Sequence, residues 1–207
     1  MKHTHRFRTV LMAVVGALGL AACGPGRYPK SYVLSFPTST PPVSPLLQAR
    51  GPIVVRDFQC PQYLCEGRIV YRPSAQEVGY YEFHRWATNP RQMITQYVAT
   101  AVQMTALFKA VALDEAGIQP AYLLTGNIER LEELDQGGDV RAVCTLSAQL
   151  INAETKSIVW DHTATETVPV QNRNIPGVVS SLSTAARMTV DSLVKSLEET
   201  LGPTRTQ

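Results

Sequence analysis

"VRAVCTLSAQL", Val140 to Leu150, carries its apolar residues at every second position. Val140, Ala142, Cys144, Leu146, Ala148 and Leu150 alternate with Arg141, Thr145, Ser147 and Gln149. Successive side chains of an extended strand point to opposite faces, so this stretch offers one face to a core and the other to solvent. The same period of two holds from Tyr122 to Val168. "LDQGGD" supplies a turn before the stretch, and "NAETKS" supplies one after it that leads into Ile158-Val159-Trp160. The expectation is a meander of antiparallel strands.

On either side of the meander the period changes to that of a helix. Thr88-Asn89-Pro90 reads as an N-cap with proline in the first turn. Ile94, Val98, Ala101, Thr105, Phe108 and Val111 then recur at three- and four-residue steps, which predicts a helix to about Ala112 with one buried face. Leu182, Ala186, Thr189, Leu193 and Leu197 form a second apolar stripe, predicting a helix over Val178 to Leu201 that Gly202-Pro203 stops.

Upstream, Tyr32-Val33-Leu34 reads as a first strand, and the proline-rich "FPTSTPPVSPLLQARGP" as a loop. Ile53-Val54-Val55 and Arg68-Ile69-Val70-Tyr71 read as strands joined by the compact excursion "CPQYLCEG", and Val78 to Trp86 as an aromatic strand. Two helices and a set of strands with one apolar face each are satisfied most simply by an α+β fold. That fold is a two-layer sandwich, a mostly antiparallel sheet with two amphipathic helices on one face.

The N-terminus is of another kind. Lys2, Arg6 and Arg8 precede an apolar run, Val10 to Leu20, too short to span a bilayer, which needs ~20 apolar residues. Leu20-Ala21-Ala22-Cys23 follows, similar to the lipobox of bacterial lipoproteins, whose cysteine sulfur receives diacylglycerol before cleavage. The expected organisation is a signal peptide over 1–22, a tether over 23–31 of ~30 Å at full extension, and a single α+β domain over 32–207. Two or three acyl chains on Cys23 would hold the chain at a membrane essentially for good, at ~0.8 kcal/mol per buried methylene. Cleavage leaves 16 basic against 17 acidic residues, a net charge of −1. Near-neutrality without clustered Lys or Arg argues against nucleic acid as a partner and against electrostatic membrane binding.

"SYVLS" soon after the lipidated cysteine, "PQYL" before "RIVYR", and "YYEFHRWATNP" opening a helix occur in an order that resembles the ABC-type transport auxiliary lipoproteins related to PqiC. The resemblance covers about Tyr32 to Leu201. It implies a non-catalytic lipoprotein of the outer membrane or periplasm, working with MCE-domain proteins and ABC transporter components that move lipids between membranes. Ring-like self-assembly of at least one relative makes homo-oligomerisation an expectation here. "YLCEGRIV" departs from the pattern, since relatives usually place charged residues and proline there. The alternative is a stand-alone outer-membrane assembly or scaffold lipoprotein. Gly24 after the cysteine, where aspartate would retain an enteric lipoprotein in the inner membrane, points to the outer membrane.

The sequence carries no zinc-protease, nucleophile-elbow or phosphate-loop motif and no CxxC, so neither catalysis nor a cofactor or metal is expected. Asp161 and His162 are neighbours on a predicted strand and point apart. His84 and Trp86 share one face of their strand, Phe83 and Arg85 the other. One pair is expected beneath the first helix; if the other is exposed it is a candidate contact surface, since Trp and Arg often dominate interfaces. Cys144 belongs to an apolar set and reads as a buried, inert thiol. Cys60 and Cys65 bracket "PQYL", and export to an oxidising compartment predicts their disulfide. The expected partner-binding surface is Tyr63 and Leu64, held in the excursion, with Arg85 and Trp86 at the strand-to-helix corner.

Overall fold

The computed structural model describes residues 28–37, 49–113 and 117–202. The signal peptide, Cys23, most of the tether and the greater part of the proline-rich loop lie outside them. The elements are β1 (Lys30–Tyr32), β2 (Ile53–Val55), α1 (Gln62–Cys65), β3 (Arg68–Arg72), β4 (Gly79–Trp86), α2 (Pro90–Met104), β5 (Val111–Leu113), β6 (Tyr122–Gln136), β7 (Asp139–Asn152), β8 (Ile158–Pro169) and α3 (Ile175–Leu201). The eight strands form one mixed, mostly antiparallel sheet. It is an α+β fold.

The predicted meander is its centre. β6 and β7 pair antiparallel from Tyr122↔Asn152 to Gln136↔Asp139, and β7 and β8 from Arg141↔Pro169 to Ile151↔Ile158. Gly137 and Gly138 close the first hairpin at φ +61° and +87°, a left-handed pair that only glycine adopts without strain. The second turn is built by Asn152, whose side-chain oxygen accepts from the backbone N–H of Glu154 and Thr155, each at 3.0 Å.

β6 uses its other edge too. β2 lies parallel to its start, Ile53↔Tyr122 to Val55↔Leu124, and β3 parallel to its end, Val70↔Glu132 to Arg72↔Leu134. The excursion between them therefore stands out from two strands laid end to end along one edge. β4 pairs antiparallel with β3, β1 parallel with β4, and β5 parallel with β2. The parallel contacts are short, which is why sequence alternation does not reveal them.

Both long helices pack on one face of the sheet and against each other. Asn89 caps α2, its side-chain oxygen accepting from Arg91 N at 3.0 Å, and Asn174 caps α3, accepting from Gly177 N at 2.8 Å. Ile94, Val98 and Val102 of α2 and Leu182, Ala186, Val190, Leu193 and Leu197 of α3 are buried against Leu124, Ile128, Cys144, Leu146 and Leu150.

Three boundaries differ from the sequence reading. The first strand is Lys30–Tyr32 rather than Tyr32–Leu34. Beyond Tyr32 the chain leaves the sheet and crosses the helices: Ser35 N donates to Ser183 Oγ at 3.0 Å, and Phe36 stacks on Tyr97 with centroids 4.0 Å apart. α2 ends at Met104, not near Ala112, because Ala106 turns left-handed at φ +54° and the chain re-enters the sheet as β5. Phe108 is still buried, so its periodicity reported burial and not helix. α3 begins three residues early, at its asparagine cap.

Val143 and Thr145 face away from the helices yet are 1% and 7% exposed, so part of the outer face is covered as well. At Gly126 the fit is close on the helical side: a Cβ there would sit 2.4 Å from the Phe58 ring and 2.6 Å from Ser147 O. Phe58 is fully buried, its N–H bonded to Thr95 Oγ1. Gly126→Ala should therefore lower stability by about 2 kcal/mol through overpacking. Chemical denaturation of this variant checks it, and an unchanged midpoint would show that Phe58 can move.

Candidate functional site

The excursion is closed by the Cys60–Cys65 disulfide, with Cα atoms 6.2 Å apart. Inside it α1 makes a single turn, Leu64 N and Cys65 N both donating to Pro61 O. Asn89 Nδ2 donates to Cys65 O at 3.3 Å, so the residue that caps α2 also ties down the loop. Leu64 points inward and is 3% exposed.

Tyr63 covers a charged cluster. Arg72 Nε and Nη2 donate to the two oxygens of Glu132, both at 3.0 Å, and Arg130 Nε donates to Glu132 Oε1 at 2.8 Å. Glu132 is fully buried. A bidentate guanidinium suits a planar carboxylate, and two cations offset the desolvation of one anion. The Arg72 guanidinium also lies 5.9 Å from the Tyr63 ring centroid and donates to its hydroxyl at 3.5 Å. Burial, reinforced by the charge of Glu132, pushes the Tyr63 hydroxyl above its usual range, so it stays protonated.

A second polar constellation lies on the helical face, in a groove of about 500 Å³ beside the start of α3. Tyr81 Oη donates to Glu133 Oε2 at 2.6 Å, and Tyr32 Oη lies 3.0 Å from His84 Nδ1. Burial pushes the Glu133 carboxyl up, with Asp135 adding to the shift and the Tyr81 bond opposing it. Burial also drives the Tyr81 hydroxyl well above its usual range. Lys30 and Arg173 line the same groove.

Two histidines lie among the described residues. His84 faces Tyr32, and His162 lies beside the Trp160 ring, centroids 6.3 Å apart, with Asp161 exposed on the opposite face. Among the described residues no group of three or more His, Cys, Asp or Glu could hold a metal ion. Cys144 is completely buried, and burial pushes its thiol up to about 12.

Of the four expected contact residues the structure places two in the core. Leu64 and Trp86 are 3% and 5% exposed, which corrects the picture of an exposed apolar loop. A one-turn helix turns one side chain inward, and Leu64 is that side chain. Tyr63 is half-buried over Arg72, and Arg85 is exposed. Sequence reasoning missed Glu132 and Glu133, although two adjacent carboxylates inside the strand "ERLEELD" must point to opposite faces and both need partners.

A family model for the ABC-type transport auxiliary lipoprotein component matches residues 32–194. The chain belongs to this family. Membership of a lipoprotein family puts it in the cell envelope as an auxiliary component, and among the described residues no helix is long and apolar enough to cross a membrane. A crystal structure of a DUF330-family protein from Xanthomonas campestris is similar over 82% of this chain and 96% of its own, with 21% identity and a TM-score of 0.71. An uncharacterized protein is similar over 82% and 99%, with 12% identity and a TM-score of 0.62. These show the fold. A PelC dodecamer from Paraburkholderia phytofirmans is similar over 77% and 95%, with 15% identity and a TM-score of 0.49. Among curated proteins none matches the sequence.

Removing Arg72 leaves Glu132 buried with one partner, so Arg72→Ala should cost about 3 kcal/mol. Urea denaturation measures it, and a loss below about 1 kcal/mol, the worth of an exposed pair, would show that water replaces the guanidinium. In a Cys23→Ser variant, an alkylating reagent should find no reactive thiol in the native protein, one after denaturation and three after denaturation with reduction. Labelling counted by mass spectrometry tests both the disulfide and the burial of Cys144.

Proposed function

We propose that this chain is a non-catalytic accessory subunit of an MCE-type ABC transporter that moves lipid between membranes. Acyl chains on Cys23 hold it at the periplasmic face of the outer membrane. The observation that carries the reading is membership of the auxiliary lipoprotein family over residues 32–194. The lipobox-like Leu20 to Cys23 supports the anchor, and Gly24 supports the outer membrane. Tyr28 opens the described residues and is 89% exposed, five residues from Cys23. A tether that short keeps the domain within about 20 Å of the bilayer, with β1 towards it.

The contact surface for a partner narrows to what the structure leaves outside: Arg85 and the outer side of the disulfide-closed loop around Tyr63. Charged and aromatic residues on a constrained loop suit a protein contact. The fully buried residues beneath the loop keep its shape.

Co-purification from envelope extracts decides the reading. The expected result is recovery of an MCE-domain protein and ABC components, weakened by Arg85→Glu with the melting temperature unchanged. Recovery of an outer-membrane protein or peptidoglycan alone would favour a stand-alone scaffold lipoprotein. Cys23→Ala should release the protein from the membrane pellet, and retention there would remove the anchor from the reading.

A further inference from the structure

The groove beside the start of α3 holds a buried group whose bonding is incomplete. Glu133 is 5% exposed, and its Oε2 accepts from Tyr81. Among the described residues nothing donates to its Oε1, yet that oxygen is not sealed away, so it faces the space of about 500 Å³ that the side chain lines. Burial disfavours charge on a carboxyl that has one neutral donor. The floor of the groove thus suits a donor that carries positive charge.

The walls suit the same group. Between the pairs Arg68↔Arg85 and Val70↔Tyr80, β3 advances two residues and β4 five. That bulge brings Tyr81 and His84, which a regular strand sets on opposite faces, to one groove. Tyr32 of β1 completes the row: its ring centroid lies 5.6 Å from that of His84, and the Tyr81 ring meets His84 edge-on at 6.3 Å. Aromatic rings beside a carboxylate attract an ammonium group through their negative faces. The mouth has the opposite sign. Lys30, Arg173 and Asp135 line the groove and are exposed, so these three leave one net positive charge there. Arg173 is tied to Gly138 O of the β6–β7 turn, and the first turn of α3, the positive end of a long helix, lines the groove as well.

We propose that this groove binds a zwitterion whose primary ammonium donates to Glu133 Oε1 beside the Tyr32, Tyr81 and His84 rings, and whose phosphate meets Lys30 and Arg173. The free acceptor selects an ammonium with N–H groups over a quaternary one, which would leave Oε1 unbonded. Two cations and a helix N-terminus together suit a phosphate, whose several oxygens accept from more than one side. A phosphoethanolamine group joins both charges, and it reaches the groove either as a free solute or as a lipid headgroup. The inference goes beyond the transporter reading and does not rest on it.

The test is isothermal titration calorimetry on the chain purified from membranes in a nonionic detergent, with no partner present. O-phosphoethanolamine should bind at least about tenfold more tightly than inorganic phosphate, ethanolamine or phosphocholine, each of which forgoes one of the interactions. Glu133→Gln and, separately, Lys30→Glu should each weaken it about tenfold or more. Lys30 is exposed, so its variant decides the matter if the buried one does not fold. Dihexanoyl phosphatidylethanolamine that binds more tightly than the free headgroup assigns the site to a lipid, and equal or weaker binding assigns it to a soluble compound. Absence of saturable binding of either up to about 10 mM overturns the proposal, as does binding that neither variant weakens. Equal affinity for phosphocholine overturns the bond from ammonium to Glu133.

Discussion

The structure depends on β6 being paired along its whole length on one edge and twice on the other. β7 takes one side, and β2 and β3 share the opposite side end to end. A single irregularity then fixes the environment of everything downstream. Between Ile128 and Arg130 the register with β7 shifts by one residue, leaving Glu129 as the extra. Before the bulge Leu124 and Ile128 face the helices; after it Leu131 does. An inserted residue in a strand exchanges its faces. Glu132 is thereby turned to the outer face, where Arg72 and Arg130 reach it, and Glu133 to the helical face, where Tyr81 reaches it.

Two buried carboxylates on one strand are costly, and each is met by a different solution. Glu132 is held between two guanidinium groups, under a lid formed by Tyr63 and the disulfide-closed turn. Glu133 has a neutral donor instead, and burial raises its carboxyl. The cluster on the outer face gives α1 a structural reason to exist: it carries Tyr63, whose ring and hydroxyl lie against the Arg72 guanidinium that holds Glu132. Arg72 is then both a strand residue and the strut on which the lid rests.

The helical layer is tied to the sheet and to the N-terminal segment by a few polar contacts within an apolar core. Thr189 Oγ1 bonds to Cys144 O at the middle of the sandwich, and Ser183 holds the extended segment that follows β1. That segment links β1 to the helices, so an anchor at the N-terminus would be connected to the core through Ser35 and Phe36. β8 lies at the opposite end of the sheet from β1, away from such an anchor.

Alternation and helical periodicity are local, and what depends on them was legible in the sequence. This covers the meander from Tyr122, the asparagine cap of α2, the stripe of α3, the buried Cys144 and the motif order that marks the family. The Gly137-Gly138 turn was readable for the same reason, since only glycine fills two left-handed positions without strain. What the sequence could not decide were contacts between distant segments. The end of α2 at Met104 was invisible because Phe108 and Val111 remain apolar whether they continue a helix or enter a sheet. The inward turn of Leu64 and Trp86 depends on how the loop lies over β3 and β4. Glu132 and Glu133 found their partners only when a bulge fixed which face each would take, and a bulge is set by pairing across strands rather than by the residues of one strand alone.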